Sequence, residues 1–592
     1  MYTERITAYS DKIRNYKTEQ KKYAKQLGFI SVLRLLLFLG FAWFLFLAFK
    51  ARFSGYYMVY SLLCIIAFII SVILAESIKA KNALLQQLIR INENEVNVLN
   101  GLPSSFDNGA MMAPAKGFTV DLNIFGKHSL FHLLNRTGSK CGKQALANRL
   151  TAPFTNTADI RNYQACMQEL SRKINFRQQL LAHTLLLKEE GALEQLQSQI
   201  QADKFAELQN RFWSTMIIIW PLAGFFLIVY SIWVDSYRLL LLFMILGLFL
   251  LSFIYKKTTE LYQHISKRSY LYNQYAVCFR LIADESFEHP YLQKKQKEIA
   301  EAAGAFKRLS KLGGLFDLRL SLFSIFINGW FLLELFCARA YLKWNREYQF
   351  SIEKWFETMG EIELLNSLAG FSYNHPSFIF PDVADDQLLI EAKGIGHPLM
   401  MENDAVVNDM KIGVAARLHL ITGSNMSGKS TFLRTLGLNM ILAQLGAPVF
   451  AKTFVFRPVR LLTSFHHIDS LEESTSYFYA ELKCLQEIIQ SLPAQVPALV
   501  LLDEVMRGTN SKDKHDGTAL LIKTILNYDC LSFIATHDTE LGVLAEMHPG
   551  LIENYCFESE LTGTGLHFDF TMRKGVAQTK NATYLMQQMG II

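Results

Sequence analysis

The chain has 592 residues, half of them apolar, and a formal net charge of only +6. That length is too great for a single hydrophobic core, so several domains are expected. A content of 44 Phe against 13 Pro excludes a disordered chain, and the small charge excess does not mark a dedicated nucleic-acid-binding domain. The eight cysteines are scattered without C-x-x-C or Cys/His ligand spacing, which argues against structural zinc and fits a reducing compartment.

Residues 1–28 carry Arg5, Lys12, Arg14, Lys17, Lys21, Lys22 and Lys25, and read as a basic cytoplasmic N-terminus. An apolar run over 29–49 follows, then a second over 56–75. Each is close to the roughly 20 residues that span a bilayer, so 29–76 reads as a transmembrane hairpin. A signal peptide would have a shorter apolar core and a small-residue cleavage site, so the hairpin is expected to be retained. Arg34 can snorkel to the basic side.

A second hairpin is expected over 213–255. Its legs are 213–234 and 239–255, joined at Asp235-Ser236-Tyr237 and followed by Lys256-Lys257. The four runs contain almost no ionisable residues, which suits anchors and not a polar conduit. The basic start favours a cytoplasmic N-terminus. An even number of spans then returns the soluble parts to the cytoplasm, as in a multi-pass protein of the cell (inner) membrane. A fifth apolar run, 320–338, is interrupted by Asn328, Gly329 and Glu334. It is expected to be a buried helix of a soluble domain, because charge at mid-span is costly. The blocks 77–212 and 256–388 have helical spacing, and from about residue 389 short β-rich runs signal an α/β domain over 389–592.

That last block contains Gly423-Ser424-Asn425-Met426-Ser427-Gly428-Lys429-Ser430, a G-x-x-x-x-G-K-S sequence between a short apolar strand (418–422) and a helix expected over 431–445. Glycines allow the backbone to wrap phosphate oxygens, the helix N-terminus supplies positive field, Lys429 can reach the β/γ-phosphates, and Ser430 can hold Mg²⁺. Downstream, the apolar run 498–502 ends in Asp503-Glu504. There Asp503 is placed to position Mg²⁺ and Glu504 to orient or deprotonate water. A third apolar run, 531–536, delivers His537, a candidate γ-phosphate sensor.

These residues resemble the MutS family of ABC-type ATPases. Thr422 to Arg434 is similar to the family's T-G-x-N-M-x-G-K-S-T-x-x-R, and Thr431 falls within it. His397-Pro398 and Asn408-Asp409 precede it in family order. Ser476-Tyr477-Phe478-Tyr479-Ala480-Glu481 looks like the S-T-F-x-x-E signature, with Tyr477 in place of threonine. Arg507-Gly508-Thr509 and Ala535-Thr536-His537-Asp538 follow in order. The segment from Glu504 to Asp516-Gly517 is longer than the usual family loop. Residues 121–137, Gly142, Leu146, Leu150 and Pro153 resemble the opening of the MutS helical core, or lever, domain. The first apolar hairpin is expected to take the place of the mismatch-reading domain that precedes this core in the family, and a membrane hairpin is expected where the family's DNA clamp interrupts it.

The resemblance implies a multi-domain chain: two transmembrane helical hairpins, an all-α MutS-like core/lever in two parts, and a C-terminal α/β P-loop (ABC-type) ATPase domain closing in a dimerisation segment. It implies ATP and Mg²⁺ as cofactors, and a homodimer through the ATPase domain in which Ser476 of one subunit completes the other's site. It also implies binding of mismatched or otherwise structured DNA. Two further readings stay open. One is a membrane mechanochemical ATPase acting on a protein or lipid partner without DNA. The other, an ABC transporter half, is opposed by the Asn-Met loop and the apolar hairpins.

Overall fold

The computed structural model describes residues 2–51, 55–187, 202–265, 268–321, 323–385, 387–413, 416–465, 477–562 and 565–578. It opens with two very long helices, α1 (Tyr2–Lys50) and α2 (Gly55–Leu99). They run antiparallel: Phe44 meets Tyr60, and Lys17 pairs with Glu93 at 2.7 Å. At 1.5 Å per residue α1 is roughly 70 Å long, more than twice the hydrocarbon core of a bilayer. Only its second half is the exposed apolar run. The basic first half is part of the same helix and docks on the rest of the molecule. Tyr9 is buried and donates to Asn374 Oδ1 at 2.8 Å, Arg5 lies 3.8 Å over the Tyr373 ring, and Tyr2 donates to Glu402.

Helices α3 (Lys140–Thr151), α4 (Thr157–Arg172) and α5 (Ile174–Leu185) follow. Ser139 caps α3 by accepting from Gly142 N, and Asn156 caps α4 by accepting from Ala158 N, as short polar side chains do for orphan amides at helix starts. The second apolar hairpin is α6 (Arg211–Val234) and α7 (Arg238–Ser252), reversed at Asp235 with φ 50°. Among the described residues, α1, α2 and α6 are long and apolar enough to cross a membrane; α7 qualifies together with α8 (Tyr255–Ile265), from which it is bent by 74°.

Helices α9 (Ser269–Asp284), α10 (Pro290–Ile299) and α11 (Ala302–Asp317) lead to the fifth apolar run. That run is not the single buried helix its composition suggests. It divides at Leu332 (φ 49°) into α12 (Ser324–Phe331) and α13 (Leu333–Tyr348). α12 lies against the second hairpin: Trp220 Nε1 donates to Gly329 O at 3.0 Å, and a Cβ on Gly247 would collide with that oxygen. Phe323, Ile325 and Phe326 stay exposed, whereas Leu335, Cys337 and Ala338 of α13 are core. The polar residues that interrupt the run make the corner. Asn328 donates to Glu334 Oε1 at 3.0 Å, Thr258 donates to Oε2 at 3.2 Å, and Arg319 lies 3.3 Å away. A buried carboxylate needs such partners.

Helix α14 (Ile352–Asn374) is buried along most of its length and packs on α3 and α4, joining segments from both sides of the second hairpin. A Cβ on Gly360 would lie 2.7 Å from Cys141 O, so the two backbones approach as closely as glycine permits. Phe306, in contact with Phe279, Phe356 and Trp344, centres the aromatic core of this block.

After α14 come β1 (Asp382–Val383), β2 (Ile390–Ile395), β3 (Asn408–Ile412), β4 (Leu418–Gly423), α15 (Lys429–Gln444), β5 (Thr453–Phe456) and β6 (Arg460–Ser464). Then follow α16 (Tyr477–Ser491), β7 (Ala498–Asp503), α17 (Ser511–Ile525), β8 (Cys530–Thr536), β9 (Ile552–Thr562) and β10 (Gly565–Lys574). A small sheet has the order β1-β5-β2-β3; the larger has the order β10-β9-β4-β8-β7-β6, with only β10 antiparallel to its neighbour. Every residue of β4, β7 and β8 is buried, as expected for parallel strands covered on both faces. The helical block reaches this domain at α15, where Leu122 fills the space beside Gly437 and Arg434 Nε donates to Asp121 O at 3.2 Å.

Candidate functional site

Strand β8 lies between β4 and β7, with Thr422 paired to Thr536 and Asp503 to Ala535. The glycine loop, the Asp503-Glu504 pair and His537 therefore leave the sheet at one edge, the C-terminal edge where open parallel sheets bind ligands. The strand-loop-helix context that the motif requires is present: β4 ends at Gly423, and α15 begins at Lys429 after Gly428, which has φ 108°. Asn425 and Met426 are exposed at the tip, and Met426 is left-handed with φ 70°. Ser424 and Ser427 hold buried hydroxyls without a hydrogen-bond partner. Ser430 and Thr431 occupy the first turn of α15.

Lys429 Nζ donates to Gly423 O at 2.8 Å and Ser424 O at 2.9 Å, and lies 4.0 Å from Glu504 Oε1. Burial pushes its pKa down, while Glu504 and Asp503 pull it back up. Asp503 is 2% exposed, and neither carboxylate oxygen has a hydrogen-bond partner; Arg507 Nη2 stands 3.9 Å away. Two orphaned carboxylate oxygens at the end of a buried strand suit a divalent cation. Asp503 and Ser430 are the residues that could hold Mg²⁺.

Glu504 is placed beside them by an unusual backbone. Glu504 and Met506 have φ 48° and 61°, and each non-glycine residue in that region costs roughly 1–3 kcal/mol. Arg507 steadies the turn: its Nε donates to Glu504 O at 3.2 Å and lies 3.3 Å from Oε2. His537 Nδ1 is 3.8 Å from the same Oε2. Burial and then Lys514 depress the His537 pKa, against the opposing pull of Glu504, so the imidazole is held toward its neutral form near pH 7.

Of the sequence candidates, Gly423 through Thr431, Asp503, Glu504 and His537 converge on one edge. Ser476 lies outside the described residues, as does the closing dimerisation segment that the resemblance implies beyond Gly575, from 581 to 590; α16 begins at Tyr477. Sequence reasoning assigned no role to Arg507, Lys514 or Phe570. Lys514 Nζ is 3.3 Å from His537 Nε2, and the next residue, His515, pairs through Nδ1 with Asp538 at 2.7 Å. The Phe570 ring flanks the loop, 3.2 Å from where a Cβ on Gly428 would sit, and its carbonyl accepts from Asn408 at 3.2 Å. The unusual length of the segment before Asp516-Gly517 was the only pointer to Lys514; nothing in the sequence pointed to Phe570.

A family model described as MutS domain V matches residues 419–590. Among curated relatives, the DNA mismatch repair protein MutS of Thermotoga maritima is 32% identical over 241 residues, 40% of this chain and 29% of that protein. The MutS protein of Natronomonas pharaonis is 30% identical over 246 residues, 40% of this chain and 28% of its own. The DNA mismatch repair protein MSH4 of Arabidopsis thaliana is 30% identical over 196 residues, 33% of this chain and 24% of its own. The similarity thus spans less than a third of the length of these relatives.

Proposed function

We propose, from the premise that this chain belongs to the MutS family through its C-terminal region, that it is a membrane-anchored MutS-like ATPase that binds DNA. The observation that carries the reading is the convergence of Lys429, Asp503, Glu504 and His537 at one sheet edge. Lys429 and the loop amides would hold the ATP phosphates, and Asp503 and Ser430 would hold Mg²⁺. When bound, Mg²⁺ supplies charge neutralisation on the phosphate oxygens. Glu504 would orient and deprotonate the attacking water, a role worth about 10²–10⁴-fold in rate. His537 would donate to the γ-phosphate or read its presence. By family analogy two ATPase domains would face each other, with Ser476 of one completing the site of the other.

The anchoring rests on the apolar surface. Phe29, Leu36 and Phe46 of α1, Ile70 and Leu74 of α2, and Leu222, Phe226 and Trp233 of α6 are all more than half exposed, a larger apolar area than soluble monomers present to water. With both hairpins inserted, the helical block and the ATPase domain would share the cytoplasmic side. The same belt favours a second reading, in which the levers act on a lipid or protein partner. The apolar hairpin α6–α7 stands between the two parts of the helical block and offers hydrocarbon, not cations, to a ligand. ATP turnover by the protein in nanodiscs, with and without duplex, mismatched and branched DNA and with Glu504→Gln as control, tests both. Stimulation by DNA that vanishes in the variant supports DNA as ligand. Glu504-dependent turnover without DNA binding at low salt assigns the protein to the second reading.

A further inference from the structure

We infer that Glu481 is a positioning residue for ATP hydrolysis: it holds the turn that carries Glu504 and ties that turn to the start of α16. The inference rests on the ATPase reading above. Glu481 stands in the first turns of α16 and is 4% exposed. Its Oε1 accepts from Met506 N at 2.6 Å and its Oε2 from Arg507 N at 3.2 Å. A buried carboxylate is costly unless its lone pairs are met by donors. Here the donors are two successive backbone amides, in the same turn where Glu504 and Met506 take up left-handed conformations.

The turn is clamped from two sides. Glu504 N donates to Ala535 O of β8 at 2.9 Å, and Glu481 takes the next free amides from the α16 side. A strained turn persists only where its surroundings over-determine it, and the Glu481 carboxylate supplies that constraint. Packing reinforces it: a Cβ on Gly508 would lie 2.8 Å from Phe478 Cβ, so loop and helix are in contact at glycine distance. Because Glu481 belongs to α16, which starts at Tyr477, a displacement of its first turns moves Met506 and Arg507 through these bonds, and with them Glu504 and the Arg507 guanidinium. A signal arriving at the start of α16 thus reaches the water-activating carboxylate without passing through the nucleotide.

The test uses the full chain in nanodiscs. It compares wild type with Glu481→Gln, Glu481→Ala, Gly508→Ala and Glu504→Gln by kcat, KM, affinity for a fluorescent ATP analogue, and melting temperature. In Glu481→Gln the side-chain carbonyl could accept from one backbone amide, but the new NH2 group would be turned against the other. An ångström of misplacement at a catalytic group costs on the order of 10²-fold, so Glu481→Gln is expected to lower kcat about 10- to 100-fold while nucleotide affinity stays within about twofold. Gly508→Ala, which leaves the carboxylate untouched and wedges loop from helix, is expected to separate kcat from affinity in the same way, and decides the matter if Glu481→Gln does not fold. Turnover within about twofold of wild type in folded Glu481→Gln overturns the inference, as does a parallel loss of kcat and affinity with Gly508→Ala unaffected. Wild-type turnover lost in Glu504→Gln but kept in Glu481→Gln, Glu481→Ala and Gly508→Ala sinks this inference alone. Absence of Glu504-dependent turnover in the wild type sinks it together with the ATPase reading.

Discussion

Replacing Asp503 by Asn separates the cost of burying a carboxylate from its use. Asp503 is 2% exposed and its oxygens lack hydrogen-bond partners, with Arg507 Nη2 at 3.9 Å. At an effective dielectric near 20 that pair attracts by about 4 kcal/mol, less after screening at the partly exposed Arg507, while desolvating the carboxylate costs several kcal/mol. The two nearly cancel, so Asp503→Asn should leave ligand-free stability within about 1 kcal/mol of wild type. The ligand-bound state behaves differently. At 100 times Kd, MgATP stabilises its site by about 2.7 kcal/mol, which for a domain of about 200 residues raises the melting temperature by roughly 5–10 °C. Thermal unfolding with ATP alone and with MgATP reads both quantities. The variant is expected to melt like wild type without nucleotide and to lose most of the Mg²⁺-dependent rise. A variant that keeps the full rise would refute the assignment of Asp503 to the cation. A ligand-free loss of more than about 3 kcal/mol would refute the electrostatic balance.

Glu504→Gln should lower kcat by about 10²-fold or more with little change in ATP affinity, measured by steady-state turnover beside fluorescent-nucleotide binding. Lys514→Met removes the cation that, after burial, does most to depress the His537 pKa. The imidazole pKa should rise, and the acid limb of the pH–rate profile should move to higher pH. An unmoved or downward-shifted limb would show that neutral His537 does not govern it. Glu95→Ala leaves Arg136 uncompensated where both side chains are less than a tenth exposed and removes an acceptor 2.5 Å from Asn374 Nδ2. It should destabilise the helical block by about 3–5 kcal/mol in thermal unfolding in detergent, and a loss below about 1 kcal/mol would mean that water reaches the pair.

The nucleotide-type edge was legible because its signals are local. Short, mostly apolar runs at 418–422, 498–502 and 531–536 read as strands covered on both faces because they are too short for helices and are bounded by loop residues, and they appear as β4, β7 and β8 with ends shifted by no more than one residue. The glycines and Lys429 mark the loop by residue type alone. The second hairpin was equally plain from its length and its turn at Asp235. Other features resisted for a common reason. Residues 1–28 read as a basic tail because their charges dominate the composition, whereas the helix continues through them and buries Tyr9 against Asn374, 365 positions away. Residues 320–338 read as one helix because hydropathy does not register a corner. That corner depends on Glu334 finding Thr258 and Arg319 from two other segments.

The order of apolar runs, glycines and carboxylates along the chain determined by itself that a phosphate-binding type of loop, two paired acids and a histidine would stand on neighbouring strands. It also determined that the chain would carry long apolar helices. Strand burial and helix length are set by neighbouring residues, so a linear reading reaches them. Only the tertiary structure decided that Glu481 grips the turn behind Glu504, that Lys514 flanks His537, and that α12 turns against the second hairpin. Each of these joins residues 23 to 109 positions apart. Such contacts form only once the sheet and the helical block have fixed their geometry, and no local pattern in the sequence encodes them.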